Sequence, residues 1–298
     1  MQTLDHWLIQ SSGLRRTEDA ESKIIRDLAA VDIPFVDFGV IPFTNEITGW
    51  ENFRPTPGFI HCSTKALKIL TDDSIDPTTI FVGADAAKAK KLLMTMRAGL
   101  FYERQRFDQD LYRRSRLLNS RKALLNHDAR YVRMGDILHE EMKYDVFIKP
   151  TEDLKLFKGG IVPAGYSLHR HVTSGTVDAE FLDKAAEDKM VLIAQEKHIS
   201  HEWRFFIVNH EPIAWSQYMT HGRIKYDSHV PDYVIDAAKK MCTWYKPAFA
   251  YTMDLCLTHD AEIKIVEYNA INCSGLYHAD VNALAHRLSS RYDLGDYD

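Results

Sequence analysis

Two acids and an amide near the end of the chain carry the strongest chemical signal. Tyr251 to Thr258 and Glu262 to Asn269 read as two strands joined around His259-Asp260-Ala261. A turn centred on Asp260-Ala261 sets Asp254 across from Glu267, with Asn269 two residues further along the same face. Met253, Leu255 and Leu257 then point the other way, opposite Tyr268, Val266 and Lys264. Opposed carboxylates sit about 4.5–5.5 Å apart at Cβ and repel. A divalent cation would remove that repulsion. Two carboxylates plus an amide oxygen suit Mg²⁺, which keeps waters and completes its shell from phosphates. The same pattern also describes solvated acids at an exposed strand end, and spacing alone does not separate the two.

Basic residues supply the complement. Lys149 closes the apolar run Val146-Phe147-Ile148, where a charge needs an anionic partner. Lys155 and Lys158 lie beside Gly159-Gly160, a backbone flexible enough to close over phosphates as a lid. As ordinary loop lysines they need no such role. Gln195-Glu196-Lys197-His198-Ile199 ends another apolar run; it can present backbone groups to an adenine edge, or simply connect two lobes. Arg204, between Trp203 and Phe205, is either a phosphate ligand or the structural partner of Glu202. His169-x-His171 is the one tight histidine pair; as strand residues the two would share a face, but no further zinc ligands lie near them. Trp50 and Phe53, on a loop near Arg54, read as core aromatics or as part of an acceptor site, with the core reading favoured.

These residues must be held by mixed secondary structure. Up to about residue 125 short strands and helices alternate, as in an α/β layer unit. Strands are predicted over 33–38, 58–62 and 78–82, a helix after the N-cap Ser63, and another from Asp85 to Met96. Residues 119–126 and 179–188 read as helices, and 129–134, 145–150 and 190–195 as strands. The last third is mostly antiparallel, with strands at 202–208 and 213–218 around Asn209-His210-Glu211-Pro212. Pro231 opens a helix reaching about Tyr245.

Composition excludes several classes. The chain has 298 residues, 45% hydrophobic and 27% charged, enough for two or three packed units. A net charge of −5 gives no general footprint for nucleic acid. Nine arginines between Arg97 and Arg133 leave a local patch open to a polyanionic acceptor, or to a reading as a solvated helical face. No basic head and apolar run at Met1 to Arg16 marks a signal peptide, and no stretch reaches the ~18 apolar residues of a membrane helix. Cys62, Cys242, Cys256 and Cys273 fit neither a zinc site nor a disulfide framework. A cytoplasmic protein is expected, in the host cytoplasm if phage-encoded.

The order of these motifs resembles a known family. Phe-Ile-Lys-Pro, Lys-x-Phe-x-Gly, Gln-Glu, Glu-Trp-Arg-Phe-Phe, Met-Asp-Leu and Val-Glu-Tyr-Asn follow one another over roughly residues 140–280 as in an ATP-grasp domain. The variant resembles the bacterial and phage branch that features one arginine and two lysines. That resemblance implies an α/β (α+β) fold: an N-terminal α/β unit over 1–125, a small lid subdomain over 126–198, and a C-terminal subdomain over 199–298, the last two sandwiching ATP. It implies that Lys149 and Lys155, with Lys158 nearby, contact phosphates. Glu196 and His198 would line the adenine hinge, and Glu202 would reach the ribose or the substrate. Arg204 and Lys155 would offset charge on the transferring group. Asp254, Glu267 and Asn269 fall on the three Mg²⁺-ligand positions; Asn272, Ser274 and Gly275 would hold the acceptor or the acyl group. The implied activity is an ADP-forming ligase joining a small-molecule or peptide carboxylate to an amine or other nucleophile. The alternatives are a phosphotransferase on the same scaffold and a catalytically silent nucleotide-binding module.

Overall fold

Apolar runs build three sheets, several of whose strands are buried on both faces, and helices with one apolar stripe cover them. The computed structural model describes residues 4–12, 24, 26–30, 32–152, 157–174 and 188–289. In the first sheet, β1 (Trp7–Ser12) runs parallel to β2 (Phe35–Val40) on one side. A short β3 (Ile47–Thr48) extends the sheet beyond β2, and β4 (Phe59–His61) lies parallel to β1 on the other side. Helix α1 (Thr64–Thr71) starts where the Ser63 hydroxyl accepts the Ala66 N–H at 3.2 Å. Asp85 caps α2 (Ala86–Arg97) in the same way.

Two expectations in this region need correction. Residues 78–82 are not a strand: Pro77–Ile80 is a helical turn, capped by Asp76, whose carboxylate accepts the Thr78 N–H at 2.9 Å. The Asp-Pro start outweighs the β-branched run, and Ile80 and Phe81 are buried. The helix expected over 119–126 is instead Arg116–Ser120. The chain turns at Lys122 (φ 48°), and the Leu125 N–H then donates to the Ile265 carbonyl at 2.8 Å.

The second sheet is antiparallel. It contains β5 (Arg130–Arg133), β6 (Val146–Pro150), β7 (Gly160–Val162) and β8 (Met190–Gln195), in the order β5-β8-β6-β7. His169 and His171 lie on helix α3 (Leu168–Thr173), not on a strand, so two-residue spacing turns them to different faces. Most of the helix expected over 179–188 lies outside the described residues.

The third sheet holds β9 (Ile199–Val208), β10 (Glu211–Thr220) and β11 (Arg223–Asp227). Helix α4 (Asp232–Met241) follows, shorter than expected, and then β12 (Ala250–Thr258) and β13 (Ile263–Ala270). All pairs are antiparallel, in the order β11-β10-β9-β12-β13. Asn209 and His210, both at positive φ, form the two-residue turn between β9 and β10.

Strand β9 organises two cores. Trp203, Phe205 and Ile207 face Val234 and Ala238 of α4. Phe206 and Val208 face the other way, towards Trp7 and Phe59 of the first sheet and Leu284 and Leu288 of α5 (Val281–Ser289). Alternation continues that second face to Arg204 and Glu202, beyond the apolar core.

Candidate active site

The face of β9 that carries Glu202 and Arg204 opens into a cavity of about 530 Å³ between the second and third sheets. Lys149 enters from β6, Lys158 and Gly159 from the turn towards β7, and Gln195 and Glu196 from the end of β8. Asp254, Glu267 and Asn269 complete the opposite wall from β12 and β13. The hairpin register agrees with the sequence here: Asp254 pairs with Glu267, and Thr252 with Asn269. Beyond that point a bulge intervenes. Leu255 faces Ile265 rather than Val266, and Leu257 faces Ile263 rather than Lys264. Val266 is the extra residue, and it too lines the cavity.

Charge in the wall is closely paired. Arg204 donates from Nε to Asp254 Oδ1 at 2.9 Å and from a terminal nitrogen to Oδ2 at 2.8 Å. Of the two readings of Arg204, the pairing with Glu202 is not seen: its salt-bridge partner is Asp254. Burial works against the guanidinium charge, but the adjoining Asp254 carboxylate outweighs it and holds the group protonated. Lys149 Nζ donates to Glu267 Oε2 at 2.6 Å. The repulsion expected between the two carboxylates is thus relieved by one cation each.

The side-chain amide of Asn269 sits between the acids, its nitrogen 3.3 Å from Asp254 Oδ2 and 3.1 Å from Glu267 Oε1. Among the described residues no three His, Cys, Asp or Glu side chains group into a metal site, so a third donor beside Asp254 and Glu267 would have to be an amide such as Asn269. Two carboxylates and an amide are the hard-oxygen chemistry that Mg²⁺ takes. The residues therefore fit the ion, provided the amide turns its oxygen inward.

Glu202 stands apart. Its Oε2 accepts the Tyr218 hydroxyl at 2.6 Å, and no cation pairs with it among the described residues. Burial raises its pKa; the Tyr218 hydrogen bond and Arg204 act against the rise, while Asp254 and Glu267 add to it. Burial likewise pushes the Tyr218 phenol upward.

Other expected residues are placed differently. Lys155 lies outside the described residues. His198 is not part of the cavity lining; its carbonyl accepts the His259 N–H at 3.2 Å. Asn272, Ser274 and Gly275 are not in the lining either. Asn272 is fully buried, accepting the Phe101 N–H at 2.9 Å and donating to the carbonyls of Ile60 at 2.7 Å and Gly99 at 3.1 Å. The Ser274 hydroxyl bonds the Ala270 carbonyl and the Thr252 hydroxyl. A Cβ on Gly275 would lie 3.1 Å from the ring of Tyr277, and it is Tyr277 that reaches the cavity. Gly159 is needed for close approach, since a Cβ there would fall 2.7 Å from the Lys149 Cβ. Gly160 already belongs to β7, so little of the expected glycine lid is free backbone.

Six of the nine arginines of the arginine-rich segment are ion-paired. Arg97 pairs with Asp73, Arg104 with Glu152, Arg106 with Glu103, Arg113 and Arg114 with Asp110, and Arg133 with Asp136. Its contribution to the cavity is instead apolar: Phe107 and Tyr112. No spacing rule points to these two, nor to Tyr218, Met219, Ile224 and Tyr226, which also line the site. Trp50, as expected, is a core residue, edge-on to Phe81.

Residues 125–286 match a family of ATP-grasp domains, the second family of the clade named for one arginine and two lysines. No curated protein matches the chain. Among solved structures, the D-cycloserine synthetase DcsG aligns with a TM-score of 0.51 at 12% identity, over 95% of this chain and 99% of that one. The D-alanine–D-alanine ligase from Bacillus anthracis aligns at 0.49 and 11%, over 95% and 97%. The ATP-grasp ligase PsnB complexed with a minimal precursor aligns at 0.49 and 12%, over 97% and 98%. At these identities the likeness speaks to the fold alone, and none of these matches carries a sign of a phage source.

Proposed function

The chain belongs to the ATP-grasp family, in the second family of its one-arginine, two-lysine clade, and on that premise we propose that it is an ADP-forming ligase that activates a carboxylate with Mg·ATP and joins it to an amine or another nucleophile. The observation that carries this reading is the meeting of Lys149, Arg204 and the Asp254–Glu267–Asn269 set in one cavity between two sheets. The proposed units are residues 1–125, 126–198 and 199–298, with the nucleotide between the last two.

In the proposed reaction the substrate carboxylate takes the terminal phosphoryl group of ATP, giving an acyl phosphate and ADP; the nucleophile then displaces phosphate. Asp254, Glu267 and Asn269 would hold Mg²⁺, which supplies positive charge against the triphosphate oxygens. Lys149 exchanges Glu267 for a phosphate oxygen, which frees that carboxylate. Arg204, fixed by its two bonds to Asp254, presents a rigid positive charge to the transferring group. Lys158 adds charge from beside Gly159, and Lys155, outside the described residues, is proposed to do the same. Gln195, Glu196 and the backbone near His198 bound the adenine end, and Phe147, Ile161 and Val266 exclude water from it. Asn272, Ser274 and Gly275 act as the frame that presents Tyr277.

The test is ADP release across a panel of carboxylic acids, with and without hydroxylamine. A ligase releases ADP only with its acid and yields a hydroxamate. ADP without hydroxamate favours the phosphotransferase; nucleotide binding without turnover favours the silent module. Which acid serves as substrate is fixed by the same panel.

A further inference from the structure

A second cavity, of about 470 Å³, lies where α1 meets the ends of β6 and β8. Lys68 and Thr71 enter it from α1, and Tyr102 and Arg104 from the segment after α2. Glu152 enters from just past β6 and Lys189 from just before β8. Glu152 also lines the first cavity. Tyr102 stacks on Phe107, another residue of that first lining, with ring centroids 5.3 Å apart. The two cavities therefore share a wall.

In the second cavity three cations share one carboxylate. Arg104 donates to Glu152 Oε2 at 2.5 Å, and Lys189 to Oε1 at 3.1 Å. Lys68 Nζ has no hydrogen bond or ion pair among the described residues. Asp72 and Asp73 also reach this space, but both are engaged elsewhere. Asp73 pairs with Arg97 at 2.7 Å, and Arg97 also donates to the Leu70 carbonyl at the end of α1, at 2.6 Å. Asp72, exposed at the rim, folds back on its own turn: its Oδ1 accepts the Ser74 N–H at 2.9 Å and the Ser74 hydroxyl at 2.6 Å. Glu152 is left to three cations. Loss of water around Lys68 lowers its pKa; Glu152 opposes the fall, while Arg104 and Lys189 add to it. An anion placed among the three would relieve their mutual repulsion.

The donors say which anion. They come from three separate stretches of chain, and they exceed the facing carboxylate by two positive charges. A carboxylate brings one charge and two oxygens in a plane. A phosphoryl group brings nearly two charges and three acceptor oxygens, one for each cation. We propose that Lys68, Arg104 and Lys189 form a phosphoryl-binding site beside the first cavity and separate from it. Its ligand is a dianion, either free phosphate or a phosphate monoester carried on a larger molecule. Glu152 takes one donor from Arg104 and one from Lys189, so the other N–H groups of both remain for the ligand. The proposal goes beyond the ligase reading and does not rest on it.

The experiment is calorimetric titration of the full chain, without nucleotide, with sodium phosphate and with ethyl phosphate. Sodium acetate at matched ionic strength is the control, and mildly alkaline pH keeps both phosphates dianionic. Wild type is expected to bind at least one of the two phosphates, and more tightly than acetate. Lys68→Met is expected to weaken that binding by about tenfold or more, and Lys68→Arg to retain most of it. Lys68 is exposed and its Nζ unpartnered among the described residues, so folding is not at stake in either variant. Ethyl phosphate binding as well as inorganic phosphate, or better, supports the site and assigns it to a phosphorylated molecule. A clear preference for inorganic phosphate supports it and assigns it to the free ion. Acetate binding as tightly as either phosphate overturns the proposal, and so does the lack of phosphate binding to wild type. Equal phosphate affinity in wild type and Lys68→Met overturns it too, because the phosphate would then sit elsewhere, as beside Lys149 in the first cavity.

Discussion

Arg204 and Asp254 are both buried and hold each other by two short bonds. Removing either partner leaves a charge in a dry wall. Arg204→Ala is therefore expected to lose about 3–5 kcal/mol of stability, read from urea unfolding, whereas Arg204→Lys should lose less while still impairing the two-bond geometry. Glu202 makes the opposite prediction. Burial raises its folded pKa above the usual 4.5, so the folded state binds the proton more tightly than the unfolded chain. Stability then falls as pH rises from the ordinary Glu range through the raised folded value. Glu202→Gln should melt higher than wild type at mildly alkaline pH, and the gap should close in acid; a gap independent of pH would contradict the assignment. At this scale the sequence is informative where residue type dictates a partner. Asp254, Glu267, Asn269 and Lys149 are legible as charged or polar groups on apolar strands. That Arg204 chooses Asp254 over Glu202 is not, because both acids are within reach of the strand and only cross-strand registration decides.

Elements set which of these side chains meet. The β12–β13 hairpin is readable as two strands about a short turn, though the register beside the turn is one residue off the expected one and the Asp254–Glu267 pairing is regained only through a bulge. Its bulge at Val266 is not, since nothing in the residue type marks an extra residue in a strand. The bulge at Tyr218 is hidden for the same reason, and with it the whole side of the cavity nearest β11. The departure at residues 78–82 has a different cause: a β-branched run masks the Asp-Pro helix start that prevails. At this scale the β6–β7 hairpin offers a clean test. Gly159→Ala drives a methyl to within 2.7 Å of the Lys149 Cβ. It is expected to lose about 1–3 kcal/mol in thermal or denaturant unfolding and to weaken ATP binding by displacing Lys149. Unchanged stability and affinity would mean the hairpin relaxes without moving that lysine.

The whole molecule is joined by contacts that local pattern does not reveal. Asn272 ties the loop after β13 to the carbonyls of Ile60 and Gly99 and to the Phe101 N–H. Asn272→Ala orphans these buried groups and should lose at least about 2 kcal/mol by denaturant unfolding. The family resemblance implies instead that Asn272 holds the acceptor or the acyl group; its buried partners lie far along the chain, where local pattern does not reach. The arginine-rich segment shows the reverse. Much of its charge is taken up by neighbouring acids, and its contribution to the cavity comes from Phe107 and Tyr112. Across the described residues no helix is long and apolar enough to cross a membrane.

Calorimetry of ATP binding with and without Mg²⁺, in wild type and in the Asp254→Asn/Glu267→Gln double variant, addresses the cavity most directly. Wild type should bind ATP far more tightly with Mg²⁺, and the double variant, with its fold checked by circular dichroism at the same temperature, should lose that enhancement. The same Mg²⁺ enhancement in both proteins would contradict the account, because the nucleotide and its ion would then be held somewhere other than the wall formed by β12 and β13.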